Sequence, residues 1–247
     1  MDGVWLYSIV SVFLVSLISL VGVFTLSVKI ESLKKFLIYL VAFSAGSLFG
    51  DAFLHLIPEL FDSGFKILFS YYILGGVVLF LFVEKVIHWH HCHNLNCSHL
   101  HSFAFMNLIG DGVHNFIDGL IIAGSYLVSI PIGISTTLAV IFHEIPQEIG
   151  DFGVLIHGGF SRNKAIFWNF LSALTAVFGA IFALLLNRFI SGTELLLVSI
   201  AIGGFIYIAG SDLIPELHKE INLKKSLLQI LAFLLGIVAM ALLLFLE

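Results

Sequence analysis

Eight apolar runs separated by short polar connections follow one another along this 247-residue chain, at roughly 4–28, 36–60, 65–87, 102–128, 131–157, 164–187, 193–217 and 226–246. A bilayer core about 30 Å thick is crossed by about 20 apolar residues in helical conformation, so each run predicts a membrane-spanning helix. Backbone polar groups in lipid must be satisfied within the segment, which makes helices the natural outcome for such runs. The connections leave no room for a soluble catalytic domain. The expectation is an all-α integral membrane protein, with one transmembrane domain over 1–247. Composition agrees: 60% of residues are hydrophobic, 11% are charged, and the mean hydropathy is +1.10, outside the range of soluble domains. The first run does not read as a cleavable leader, because it lacks a basic start, carries Asp2 and is too long.

Charge distribution sets the orientation. With the amino terminus outside, the inner side holds Lys29, Lys34, Lys35, Lys85, Arg162, Lys164, Lys219, Lys224 and Lys225, and the outer side holds Lys66 and Arg188. Inner connections enriched in lysine and arginine are the usual arrangement, so both termini are expected outside the cytoplasm of a multi-pass cell-membrane protein. Residues 88–101 then form a cytoplasmic loop, which makes a disulfide between Cys92 and Cys97 unexpected. This loop carries His88, His90, His91, Cys92, His93, Cys97, His99 and His101. Their spacing matches no closed zinc finger, and two readings stand: a metal-collecting loop and a solvated one.

An internal repeat is visible. Gly46, Ala52 and Leu56-Ile57-Pro58-Glu59-Leu60 recur 157 residues later as Gly203, Ala209 and Leu213-Ile214-Pro215-Glu216-Leu217. Spans two and seven are five helices apart and must run in opposite directions. This implies an inverted repeat, spans 1–3 against 6–8, around a central pair, spans 4–5. Inverted repeats mark many secondary transporters, with the substrate site near mid-membrane. A chance likeness of two glycine-rich membrane helices is the competing reading.

Polar groups sit deep in the runs. Asp51, Asp111, Asp118, Glu144, Glu148, Asp151 and Asp212 fall well inside the spans, together with His55, His114 and His143, while lysine and arginine stay at span ends and connections. An acidic side chain at a helix centre costs about 2.5–3.5 kcal/mol, which makes such residues functional candidates. Without basic partners at similar depth, a travelling cation is the better account of these acids. Helical residues three or four apart share a face, so His114 pairs with Asp118 and His143 with Gln147, with Asn115 and Glu144 on neighbouring stripes. Two antiparallel helices can bring these six groups together. Asp111, Glu148 and Asp151 extend the path toward the cytoplasm, and Asp51, His55 and Asp212 are further pathway candidates. Glu59 and Glu216 read equally well as interfacial carboxylates, and His157 and His218 as interfacial bystanders. Pro146 removes a backbone bond and strands the carbonyl of Phe142, which fits a helix kinked at a binding site. Imidazole, carboxylate and amide ligands suit zinc best, with iron, manganese or cadmium also acceptable. Binding requires neutral imidazole and ionised carboxylate, so affinity is expected to fall in acid.

Three stretches carry a family likeness: His114-Asn115-Phe116-Ile117-Asp118-Gly119, His143-Glu144-Ile145-Pro146-Gln147-Glu148-Ile149-Gly150-Asp151-Phe152 and Asn169-Phe170-Leu171-Ser172-Ala173-Leu174-Thr175-Ala176. In these the chain resembles the Zrt/Irt-like (ZIP) divalent-metal transporters, and is most similar to the branch with histidine at the start of the second motif. The resemblance is strong over 107–217 and weaker over the first 60 residues. It implies zinc-group uptake into the cytoplasm by alternating access, with spans one, four, five and six moving against the rest. It also implies His114, Asn115, Asp118, His143, Glu144 and Gln147 as metal-site positions. Relatives often carry His or Glu where Gln147 stands; a neutral amide bridges two ions poorly, so one principal ion is expected.

Zinc is then substrate rather than cofactor. The expected partners are divalent metal ions and the lipid bilayer, with no nucleic acid or nucleotide, and a homodimer is left open. An intramembrane zinc metalloprotease is the rival reading, but the fifth position of its His-Glu-x-x-His motif is here Gln147. Haem ligated by His114 and His143 would leave the surrounding acids unexplained. The phosphate loop that a nucleotide-driven pump requires does not occur in the sequence.

Overall fold

The computed structural model describes residues 2–21, 30–89 and 100–246, which form helices and no strand. Among the described residues, eight helical rods follow in chain order. α1 is Asp2–Ile18. α2 runs as Ile30–Asp51, a π-helical turn Ala52–Leu56, and Ile57–Asp62. α3 is Ile67–Trp89, α4 Leu100–Val128 and α5 Ile130–His157. α6 joins Arg162–Ala173 to Thr175–Phe189 at Leu174. α7 runs as Thr193–Tyr207, a π-helical turn Ile208–Leu213, and Ile214–Leu217; α8 is Leu223–Leu243, closed by a 3-10 turn Leu244–Leu246.

Among the described residues, five stretches are long and apolar enough to cross a membrane: Phe36–Asp62, Ile67–Lys85, Arg162–Phe189, Thr193–Leu217 and Leu223–Leu243. Gly3–Ile18 is a shorter apolar helix. The first helix thus ends before the expected boundary at 28, in a turn at Ser19 and Leu20, and residues 22–28 of that run lie outside the described residues. α4 and α5 are full-length rods whose apolarity is diluted by the central polar motifs. Burial grades the helices: only 17% of the apolar windows of α3 and α8 is covered, against 50% and 56% for α2 and α7. α3 and α8 therefore face outward, presenting Leu74, Val78 and Phe82, and Leu227, Leu231 and Leu234, while Leu48, Leu56, Ile121, Ile122, Val140, Ile202 and Phe205 fill the centre.

The repeat has a packing counterpart. A Cβ placed on Gly46 would lie 2.0 Å from the Phe233 carbonyl oxygen, and one on Gly236 2.1 Å from that of Phe43. The equivalent crossing joins Gly203 to the Ile73 carbonyl at 2.0 Å and Gly76 to that of Ile200 at 2.4 Å. So α2 packs on α8 as α7 packs on α3, backbone against backbone, the close approach that small residues permit in membranes. Phe43 and Gly46 correspond to Ile200 and Gly203 at an offset of 157, and Ile73 and Gly76 to Phe233 and Gly236 at 160. Both π-helical turns end just before a proline. The Ile57 N–H reaches Ala52 O and the Ile214 N–H reaches Ala209 O, five residues back. A wider turn accommodates the rings of Pro58 and Pro215, which would otherwise press on the preceding carbonyls.

A single residue separates α4 from α5. Ser129 is extended, and its side chain accepts the Ile132 N–H at 3.3 Å, while Pro131 occupies the first turn of α5. This tight reversal makes α4 and α5 antiparallel neighbours. His114 lies fifteen residues before Ser129 and His143 fourteen after it, so at about 1.5 Å rise per residue the two imidazoles reach the same depth.

Candidate metal centre

His114 and Asp118 of α4 meet His143 and Glu144 of α5 in one cluster, in which the four ligand atoms all lie within 4.8 Å of one another. His114 Nε2 is 3.3 Å from His143 Nε2, 3.6 Å from Asp118 Oδ2 and 3.5 Å from Glu144 Oε1. His143 Nε2 is 3.3 Å from Asp118 Oδ2 and 3.4 Å from Glu144 Oε1. A tetrahedron with centre-to-corner distances of about 2.0–2.2 Å, those of zinc with nitrogen and oxygen ligands, has edges of about 3.3–3.6 Å. The five measured edges fall in that interval.

The surroundings orient these atoms. Asp118, His143 and Glu144 are buried, and His114 is partly open. The His143 Nδ1–H donates to the Ala139 carbonyl at 3.3 Å, which leaves the Nε2 lone pair directed into the cluster, the usual anchoring of a ligating histidine. Asp118 Oδ2 and Glu144 Oε1 make no hydrogen bond despite their short contacts to the rings. Four lone-pair-bearing atoms thus converge with no lysine or arginine among them, an arrangement a divalent cation would satisfy.

A second layer of acids lies one to two turns along α4 and α5, with Asp111 and Glu148 held by α6. Asp111 Oδ1 accepts from Asn115 Nδ2 at 2.8 Å, and its Oδ2 accepts from the Ser172 hydroxyl. Asn169 Nδ2 donates to Glu148 Oε2, and Asn107 Nδ2 donates to Asp151 Oδ1 at 2.8 Å. Thr175 donates to the Gly112 carbonyl. Asn169, Ser172 and Thr175, spaced by three, present one polar stripe of α6 to α4 and α5. A cavity of about 180 Å³ opens beside His114, lined by Glu84, Asn107, Asp111, Gln147, Asp151, Tyr207 and Asp212 among others. Tyr207 donates to Glu84 at its wall.

The model of the family described as ZIP Zinc transporter matches residues 2–104 and 89–244. The chain belongs to the ZIP zinc transporter family. Its similar relatives include the zinc transporter zipt-7.1 of Caenorhabditis briggsae, 30% identical across 95% of this chain and 77% of the relative. The zinc transporter ZIP13 of Danio rerio is 32% identical across 86% and 76%. The metal cation symporter ZIP14 of Xenopus tropicalis is 31% identical across 87% and 62%, so the chain spans about three-fifths of that relative's length. ZIP proteins are multi-pass membrane transporters rather than enzymes, and the metalloprotease reading finds no support.

Of the six ZIP motif positions, the structure gathers His114, Asp118, His143 and Glu144. Asn115 is buried beside them, but its amide nitrogen is committed to Asp111, while its Oδ1 makes no hydrogen bond. Gln147 is half-buried and borders the cavity next to His114. Asp111, Asp151 and Asp212 also line that cavity, and Glu148 is buried against Asn169. His55 stands apart: it is buried in the π-helical turn of α2, and its Nε2–H donates to the Met240 carbonyl of α8 at 2.9 Å. Asp51, immediately before that turn, is fully buried. In the expected loop, His90, His91, Cys92, His93, Cys97 and His99 lie outside the described residues, while His88 and His101 fall in the ends of α3 and α4. Glu84 and Tyr207 were not anticipated. Glu84 lies three residues inside the expected end of its span at 87, and its depth was the available signal.

Proposed function

We propose that this protein carries zinc into the cytoplasm by alternating access, through a site formed by His114, Asp118, His143 and Glu144. The observation that carries this reading is the set of ligand-atom separations, 3.3–3.6 Å, which suits a small tetrahedrally coordinated cation. The names of the relatives agree: two are zinc transporters and the third a metal cation symporter. One principal ion is held, because Gln147 offers no charge for bridging a second. Asn115 and Gln147 flank this ion, and iron, manganese and cadmium are competing cargoes.

Direction follows from charge and cavity together. Glu84, Asn107, Asp151 and Asp212 lie near the ends of α3, α4, α5 and α7 that the lysine and arginine distribution assigns to the cytoplasm. The cavity beside His114 is thus an inward release path, and Asp111, Gln147, Asp151 and Asp212 are its polar steps. Both termini are extracytoplasmic in this topology, and residues 1–247 act as one transport unit. Purified protein in liposomes enclosing a zinc-sensitive dye is expected to give a fluorescence rise on addition of zinc, reduced by excess cadmium and not by magnesium. Vesicles that stay as dark as protein-free controls would sink the transport reading.

A further inference from the structure

Pro146 has no N–H, so the carbonyl of Phe142, four residues earlier in α5, loses its usual intrahelical donor. A donor arrives from another helix: the Ser44 hydroxyl of α2 donates to the Phe142 oxygen. Ser44 is fully buried, and Phe43 beside it packs edge-on against the Phe142 ring, with centroids 4.9 Å apart and planes at 79°. Phe142 directly precedes His143 and Glu144, so whatever fixes its peptide fixes the start of the cluster.

We propose that Ser44 is a positioning residue for the metal site, its hydroxyl replacing the backbone bond that Pro146 removes and so holding His143 and Glu144 against His114 and Asp118. The inference rests on reading that cluster as the metal site. A kinked helix in lipid needs an outside donor for the freed carbonyl, and serine hydroxyls are among the groups that supply one. The Ser44 oxygen also lies 2.8 Å from the Leu40 carbonyl of its own helix. Its single proton therefore has a local acceptor if α5 moves away, while the Phe142 oxygen has no equivalent in the normal helical ladder. The bond stabilises the arrangement in which the four ligand atoms are gathered.

The test is zinc uptake by reconstituted variants, with KM and maximal rate measured separately and normalised to folded protein. Ser44→Ala is expected to raise KM about fivefold or more, the scale of leaving one buried acceptor unmet, without a matching fall in maximal rate. Ser44→Thr, which keeps a hydroxyl, restores the parent KM. Pro146→Ala returns an N–H to the Phe142 carbonyl, so adding Ser44→Ala in that background leaves KM unchanged. An equal rise in KM with and without Pro146 would overturn the proposal. If Pro146→Ala does not fold, matching KM values for Ser44→Ala and Ser44→Thr overturn it instead. A His143→Ala control separates the two readings: normal uptake by that variant removes the metal site itself, whatever Ser44 does.

Discussion

Replacing His143 by alanine is expected to abolish zinc uptake while leaving a folded, membrane-inserted protein. The imidazole Nε2 lies 3.3 or 3.4 Å from each of the other three ligand atoms, closer on average than His114 does. Its Nδ1–H is already committed to the Ala139 carbonyl, which leaves the Nε2 lone pair facing those three atoms. Alanine removes one corner of the tetrahedron and leaves the Asp118 and Glu144 carboxylates converging with one imidazole instead of two. Loss of groups that only orient ligands costs about 10–100-fold in metal affinity, and loss of a ligand itself should reach at least the upper figure of about 100-fold. Tracer zinc uptake, normalised to monodisperse protein, checks this. His114→Ala should behave alike, and normal uptake by both variants would refute the assignment.

Gly119→Ala is expected to be among the most damaging single-methyl changes at the described residues. The Cβ would lie 1.9 Å from the Ala176 carbonyl oxygen of α6, and from the other side a Cβ on Gly179 would lie 2.0 Å from the Phe116 oxygen. Both obstacles are backbone, so no side chain can swing away, and α4 and α6 must separate. Overpacking of this kind costs about 3 kcal/mol or more when backbone has to move. Asp118 is the adjacent residue, so the shift also pulls its carboxylate from the cluster. Heating before size-exclusion chromatography should show a much lower midpoint for this variant, with uptake lost in whatever survives. Gly150→Ala is the control: beyond its own stretch of helix nothing lies within 4 Å of the added Cβ, and in the α5 helix alanine should be neutral or stabilising by about 0.5–1 kcal/mol. Equal melting of the two variants would contradict the close crossing.

The sequence carried the membrane class, the span boundaries to within a few residues for most helices, and the four residues that gather. Spacing worked for His114 and Asp118 because residues four apart on one helix share a face whatever the tertiary setting. It was less informative for Gln147. His143 and Gln147 are also four apart, but the antiparallel partner stands over Glu144, and Gln147 borders the cavity beside His114 instead. The repeat was legible only in α2 and α7, where Pro58 and Pro215 each follow the same wide turn. In α3 and α8 a single small residue at each crossing, Gly76 and Gly236, serves the same end at a different offset, too little for a sequence match. Pro146 announced a stranded carbonyl, but the donor, Ser44, is 98 residues away, and one buried serine among several gives no sign of its partner. The acids of the second layer were visible as depth; their amide and hydroxyl partners Asn169 and Ser172 became interpretable only once α6 was seen against α4 and α5.

X-ray absorption at the zinc edge, on purified protein loaded with one equivalent of zinc, tests the central claim most directly. The cluster predicts four nitrogen and oxygen neighbours at about 2.0 Å, with outer-shell scattering from two imidazoles that is lost or halved in His143→Ala. Sulfur scattering at about 2.3 Å, or an imidazole signal unchanged by His143→Ala, would contradict it.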